Sequence, residues 1–137
     1  MLAKDTKIEL IAGVPLFADC SRRELRELAE TADEVVVPAG YTLTKEGATG
    51  REFVIIVEGA ADVIRRGRKI NTLGSGDFLG EIALVSRGPR TATVRTTQPT
   101  HALVITASAF RGLLRGMPSI QIKVLQALAE RLPPEFE

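Results

Sequence analysis

The chain has 137 residues, and its 18 basic and 17 acidic side chains leave a formal net charge of +1. This length predicts one domain, and a hydrophobic content of 45% is enough for a buried core. The near-zero charge argues against a general attraction to nucleic acid or to an acidic membrane surface. No apolar run is long enough to cross a bilayer.

Cysteine and histidine each occur once, which excludes several kinds of metal and redox site. Cys20 cannot form an internal disulfide or a cysteine-based metal cluster. His101 alone cannot build a multi-histidine metal centre, as a cupin-type barrel enzyme would need. The first seven residues contain no apolar signal segment. We therefore expect a cytoplasmic protein with no resident metal or cofactor.

The first 32 residues are predicted to be helical. A short helix is predicted over residues 7–12. Ser21 and Glu24 have the spacing of a capping box, which begins a second helix that runs to about residue 32. The second helix has one apolar face, formed by Leu25, Leu28, Ala29 and Ala32.

Residues 34–106 contain short β-rich runs separated by glycines, which is typical of an antiparallel barrel or sandwich. The predicted strands are 34–37, 41–44, 53–57, 61–65, 69–73, 92–96 and 102–105. Residues 74–85 do not alternate like a strand, and 81–85 are predicted to form one helical turn. Four basic residues at the turn that joins the fourth and fifth strands, including the strand ends, are predicted to lie at a solvated hairpin tip. These are Arg65, Arg66, Arg68 and Lys69.

Residues 107–132 are again predicted to be helical. One helix is predicted over 107–114, and a second begins at Pro118, a residue that suits the first helical position. The second helix has a predicted apolar stripe, formed by Ile122, Leu125, Leu128, Ala129 and Leu132. Helices on both sides of a β-core indicate the α+β class. We expect an antiparallel β-barrel or jelly roll of about eight short strands, flanked by N-terminal and C-terminal helices.

The interruption around Gly80 is the best candidate for a binding site. Gly80 allows close approach to the main chain, and the amides that begin the predicted turn can face an anion. Arg90 follows a Gly-Pro turn, and its guanidinium fork suits a phosphate. Glu81 would repel that anion unless it accepts a hydrogen bond from a hydroxyl. The combination of Gly80, Arg90 and Glu81 therefore suggests a site for a nucleotide. On charge and spacing alone, a surface salt bridge between Arg90 and Glu81 is an equal alternative.

The segments FLGEIAL at 78–84 and PRTATV at 89–94 resemble the phosphate-binding cassette of cyclic nucleotide-binding domains. The resemblance covers about residues 14–132. The combined motif is specific because Gly-Glu-x-Ala-Leu is followed at this distance by Pro-Arg-Thr-Ala. It implies an N-terminal extension with a short helix at 1–13, a nucleotide-binding domain at 14–132, and a linker or chain end at 133–137. Within the domain, the cassette would occupy 78–92 and a lid helix 118–132.

The resemblance also implies a role for each cassette residue. Glu81 would accept a hydrogen bond from the ribose 2′-hydroxyl, Arg90 would pair with the cyclic phosphate, and the Ala83 amide would face a phosphate oxygen. The residues that would shape the turn or border the phosphate and purine are Gly80, Ile82, Thr91 and Ala92. In the lid helix, Leu128 or Leu132 would cover the base and Arg131 would stack on it. For each lid residue, ordinary helix packing or solvent exposure is the alternative.

The implied function is a sensor that binds cAMP in preference to cGMP, has no catalytic activity, and acts through movement of its C-terminal helix. Few residues follow Pro133, so we expect a fragment of a larger protein with a fused effector, or a chain that acts on a partner in trans. No DNA-reading helix pair follows Leu132, so direct binding to nucleic acid is not expected. Dimerisation is left open. The alternative is a nucleotide-free structural or partner-binding module of the same fold.

Overall fold

A computed structural model describes residues 2–49, 52–80 and 89–129, apart from the side chains of 127 and 128. The described residues form a jelly roll of eight antiparallel strands with four α-helices, as the sequence predicts. The helices are α1 (Lys4–Ala12), α2 (Arg22–Thr31), α3 (Ala107–Gly116) and α4 (Pro118–Ala129), with a 3₁₀ turn at Pro15–Phe17. The strands are β1 (Asp33–Val37), β2 (Thr42–Thr44), β3 (Glu52–Glu58), β4 (Ala61–Arg65), β5 (Arg68–Leu73), β6 (Phe78–Leu79), β7 (Thr93–Thr96) and β8 (Thr100–Thr106).

The strands form two four-stranded sheets. The first has the order β1-β8-β3-β6, and the second has the order β2-β7-β4-β5. In the first sheet, Val54 of β3 lies opposite both Val104 and Leu79. In the second sheet, Val63 of β4 lies opposite Val94 of β7. These pairings place the ends of β4, β6 and β7 around the candidate site.

Strand β3 separates two hydrophobic clusters because its side chains alternate between the faces of the sheet. Phe53 and Ile55 belong to the cluster that packs against the helices. Val54 and Ile56 belong to the cluster between the two sheets. The helices therefore cover one face of the first sheet, and the second sheet covers the other.

Helix α2 begins as the sequence predicts. The Glu24 backbone N–H donates to Ser21 Oγ at 3.2 Å, and the Ser21 backbone N–H donates to Glu24 Oε1 at 2.7 Å, which completes the capping box. All four residues of the predicted apolar face are buried. Both features are confirmed: the cap needs only Ser21 and Glu24, and the helical repeat of the sequence already places the four apolar residues on one face.

The prediction that residues 74–85 contain no strand is wrong for residues 78 and 79. Phe78 and Leu79 form β6, which pairs with Ile55 and Val54 of β3. A strand of two residues is too short for alternation to be visible in the sequence. The pairing with β3 therefore determines this strand.

The prediction of the buried face of α4 is also wrong for the residues whose side chains are described. Ile122 and Leu125 are 59% and 65% exposed, whereas Ile120 and Val124 are 0% and 3% exposed. The physical reason is a polar contact: Lys123 donates a hydrogen bond to the buried carboxylate of Glu24 on α2. This contact turns the face with Ile120 and Val124 toward the helix-side cluster.

Candidate functional site

Gly80 follows β6 in a conformation that requires glycine. Its φ is +78°, in the left-handed region that residues with a side chain rarely adopt. A Cβ at this position would lie 2.6 Å from the carbonyl oxygen of Glu52 and would also overlap the guanidinium of Arg90. Gly80 therefore allows the Arg90 side chain to lie against the main chain of β3.

The main chain of Arg90 is held by the turn that follows β2. The Arg90 N–H donates to the Ala48 carbonyl at 2.9 Å, and the Gly47 N–H donates to the Arg90 carbonyl at 2.9 Å. Close by, Thr44 Oγ1 donates to the carbonyl of Ala92 at 3.1 Å. These bonds fix the segment before β7 without using the Arg90 side chain.

The guanidinium of Arg90 is only partly satisfied. Its Nη2 donates to the Glu52 carbonyl at 2.5 Å, but its Nε is buried and has no partner among the described residues. Burial lowers the pKa of Arg90, and the nearby Glu52 carboxylate opposes that shift. A buried donor without an acceptor costs about 1–3 kcal/mol. An anion that supplied the missing acceptor would recover that energy.

Four predicted site residues are brought together around one cavity of about 190 Å³: Gly80, Arg90, Thr91 and Ala92. Sequence reasoning missed an apolar wall, which is formed mainly by Val63, Leu73, Leu79 and Val94. The inward alternation of β4 and β7 could have indicated Val63 and Val94. The cavity therefore combines a cation at one side with apolar surface at the other.

Arg65 also lines this cavity. The sequence predicts it at a solvated hairpin tip, and its side chain is indeed exposed. However, its Nε donates to the carbonyl of Thr91 at 3.1 Å, which holds it at the cavity edge. The described lining thus contains a second guanidinium besides that of Arg90.

The remaining predicted residues cannot be placed. Three cassette residues lie outside the described residues: Glu81, Ile82 and Ala83. Of the predicted lid residues, Arg131 and Leu132 also lie outside them, and Leu128 belongs to α4 without a described side chain. No residue of the described part of α4 lines the cavity. The roles of all these residues stay predictions.

A larger depression of about 430 Å³ lies elsewhere, beside His101. Its described lining contains Glu58 but no lysine or arginine, so it offers no permanent cation to a phosphate. His101 Nε2 lies 2.9 Å from Glu34 Oε2 and already has a partner there. Of these two, the smaller cavity beside Arg90 is therefore the better candidate for binding an anion.

Two other kinds of site are missing from residues 2–49, 52–80 and 89–129. No group of three or more His, Cys, Asp or Glu side chains there is arranged to hold a metal ion. No helix in the same ranges has the length and apolar character needed to cross a membrane.

The fold and the Gly80–Arg90 arrangement define a jelly-roll domain with a cavity that is lined by arginine and apolar side chains. The cyclic nucleotide-binding domain family matches residues 34–116, and the chain belongs to this family.

Relatives of known role include channels and transcription regulators. The chain is 33% identical over 123 residues to a cyclic nucleotide-gated potassium channel of Rhizobium etli, covering 90% of this chain and 34% of the channel. It is 29% identical over 129 residues to a CRP-like cAMP-activated global transcriptional regulator of Mycobacterium tuberculosis, covering 90% of this chain and 58% of the regulator. A solved N-terminal domain of a transcriptional regulator from Streptomyces coelicolor superimposes with a TM-score of 0.83 at 28% identity, covering 89% of this chain and 91% of that one. The chain spans 34% of the length of the channel and 58% of the length of the Mycobacterium tuberculosis regulator, which is less than two thirds of each.

Proposed function

We propose that this domain binds a cyclic purine nucleotide, cAMP in preference to cGMP, and regulates an effector that is fused to it or separate. The observation that carries the proposal is the buried Nε of Arg90, which has no acceptor among the described residues. A cyclic phosphate supplies acceptor oxygens and a negative charge at that position. The apolar wall of the same cavity suits a purine.

The preference for cAMP rests on the family and on one relative. The Mycobacterium tuberculosis regulator is described as cAMP-activated. Thr91 is compatible with either base, so the cassette residues discriminate poorly between them. The named relatives are channels and regulators, and we assign this chain a regulatory role in the cytoplasm without catalysis of its own.

The output is proposed to pass through α4. A polar contact with Glu24 and the packing of Ile120 and Val124 hold this helix. Covering a base in the cavity requires the helix or its continuation to approach Arg90. A ligand that contacts only the closed arrangement would shift the population toward it.

Calorimetric titration with cAMP and cGMP tests the binding proposal. We expect heat with both ligands and tighter binding of cAMP. Arg90→Ala is expected to weaken binding by about 1.5–3 kcal/mol or more, because a charge-assisted hydrogen bond is lost. Arg95→Ala on β7 makes the same charge change outside the described lining and serves as the matched control.

If wild type gave no heat at high micromolar ligand, the nucleotide-free module would replace this proposal. Equal affinities of Arg90→Ala and Arg95→Ala would refute the phosphate assignment. Saturating ligand should also raise the melting temperature, because it binds only the folded state.

Spin labels at Arg26 on α2 and Gln126 on α4 test the movement of the helix. Both positions are exposed, and the pair would be built in a Cys20→Ser background to prevent labelling of the native thiol. The distance distribution should change with saturating cAMP, and it should not change in the Arg90→Ala variant. An unchanged distribution in a protein that binds cAMP would refute the movement and leave the binding proposal intact.

A further inference from the structure

We infer that Arg65 contacts the edge of the purine base and shifts the preference of the cavity toward guanine. This inference rests on the proposed function, because it assigns a partner within the same nucleotide site. It starts from a second cation in the described lining of the cavity. Arg65 and Arg90 both line it, whereas none of the described lining residues carries a carboxylate. A cyclic monophosphate has one negative charge, which Arg90 would take.

The strand geometry places Arg65 on the same face of β4 as Val63. Side chains two residues apart share a face, and Ala61 and Val63 both contribute to the cluster between the sheets. The partner of Ile64 is Thr93, so the next residue along β4 lies beside Ala92 at the cavity edge. Arg65 therefore continues the wall that suits the base.

Arg90 and Arg65 are held by different sheets. The Nη2 of Arg90 bonds to Glu52 at the start of β3, in the first sheet, whereas Arg65 belongs to the second sheet. The cavity thus has one cation beside Gly80 and another beside the apolar wall. A nucleotide whose phosphate meets Arg90 would extend its base toward Val63 and Arg65.

The Arg65 side chain is held in place but keeps donors available. Its Nε donates to the Thr91 carbonyl, and no carboxylate of the described residues forms a salt bridge with it. The adjacent Arg66 N–H donates to Glu46 Oε1 at 2.9 Å, which fixes the end of the hairpin. No described residue accepts a hydrogen bond from the two Nη atoms of Arg65, so their four N–H groups can face a ligand.

A guanidinium has donors only, so it selects for acceptors. Guanine presents two acceptors on one edge, O6 and N7, and arginine can bond to both. Adenine presents one acceptor, N7, beside the N6 amino group, which is a donor. Arg65 therefore favours guanine. It makes the preference for cAMP over cGMP smaller than the preference that the other cavity residues would produce without it.

The test compares dissociation constants for cAMP and cGMP in wild type, Arg65→Ala and Arg65→Lys. The matched control is Arg68→Ala, which makes the same charge change on the same hairpin outside the described lining. We expect Arg65→Ala to weaken the binding of cGMP about tenfold more than the binding of cAMP, which is the scale of one base-edge contact. The ratio of the cGMP and cAMP dissociation constants for Arg65→Lys should lie between those for wild type and Arg65→Ala, because a point charge cannot bond to two acceptors at once. Arg68→Ala should leave the ratio unchanged.

The analogue 7-deaza-cGMP gives a second measurement because it lacks the N7 acceptor. It should bind wild type more weakly than cGMP does, with little difference in Arg65→Ala. An equal loss of cAMP and cGMP affinity in Arg65→Ala would overturn the inference and indicate a general charge effect. Arg65→Ala affinities for cAMP and cGMP that both equal those of wild type would also overturn it. Wild-type protein that bound neither nucleotide would instead refute the proposed function itself.

Discussion

Replacing Glu24 by glutamine is expected to lower the free energy of unfolding by about 3 kcal/mol at pH 7. The Glu24 side chain is buried at 4% exposure between α2 and α4. It accepts hydrogen bonds from Ser119 Oγ at 2.5 Å, from Lys123 Nζ and from the Ser21 backbone N–H. Glutamine keeps an oxygen for the capping box, so the substitution removes the charge and preserves the cap.

The magnitude follows from the pKa of Glu24. Burial opposes ionisation, but the hydrogen bonds from Lys123, Ser119 and Ser21 outweigh it and lower the pKa from 4.5 to about 2. At about 1.36 kcal/mol per pKa unit, this fall corresponds to about 3 kcal/mol. Because the folded pKa is the lower one, the stabilisation is present above about pH 5 and is lost as the pH falls toward 2. At pH 3, less than half of it should remain.

Urea unfolding at pH 7, 5 and 3 measures the effect. Glu30→Gln on the same helix is the control, since Glu30 is exposed and its ion pair with Lys4 should contribute less than about 1 kcal/mol. The difference between wild type and Glu24→Gln should shrink at pH 3. A Glu24→Gln variant as stable as Glu30→Gln at pH 7, or a difference that did not depend on pH, would refute this account of the Glu24 carboxylate.

Three further predictions concern other parts of the domain. Gly80→Ala should lower both the melting temperature and the nucleotide affinity, whereas Gly59→Ala should lower only the melting temperature. Both glycines have positive φ and no room for a Cβ, but only Gly80 lines the cavity. Calorimetry of both variants measures the affinities, and equal losses of affinity would contradict this prediction. Thr106→Ala should cost about 1 kcal/mol in urea unfolding, because Thr106 Oγ1 caps α3 by accepting from the Ala109 N–H; no loss would argue against the cap. Burial, with the charge of Glu24, raises the pKa of Cys20 to about 11, so its reaction with a thiol reagent at pH 8 should be much slower in folded than in urea-unfolded protein. Equal rates would contradict this.

The features that the sequence predicts well depend on nearby residues. The start of α2 needs only Ser21 and Glu24, which are three positions apart. Gly80 and Arg90 were identified because the cassette is a continuous local motif. Their meeting in one cavity agrees with that motif, although Glu81 lies outside the described residues.

The features that the sequence did not predict depend on distant contacts. The orientation of α4 follows from the bond of Lys123 to Glu24, which are separated by 99 positions. Apolar residues lie on both faces of this helix, so periodicity alone could not choose the buried one. The wall residue Val63 and the edge residue Arg65 reach the cavity only after β4 pairs with β7.

The contact between Arg90 and Glu52 has a consequence for sequence variation. Arg90 bonds to the main-chain carbonyl of Glu52, a group that every amino acid carries. The next residue, Phe53, packs edge-to-face on Phe17 of the 3₁₀ turn with ring centroids 6.1 Å apart. Position 52 can therefore accept many side chains without losing its link to Arg90, whereas position 80 can accept only glycine.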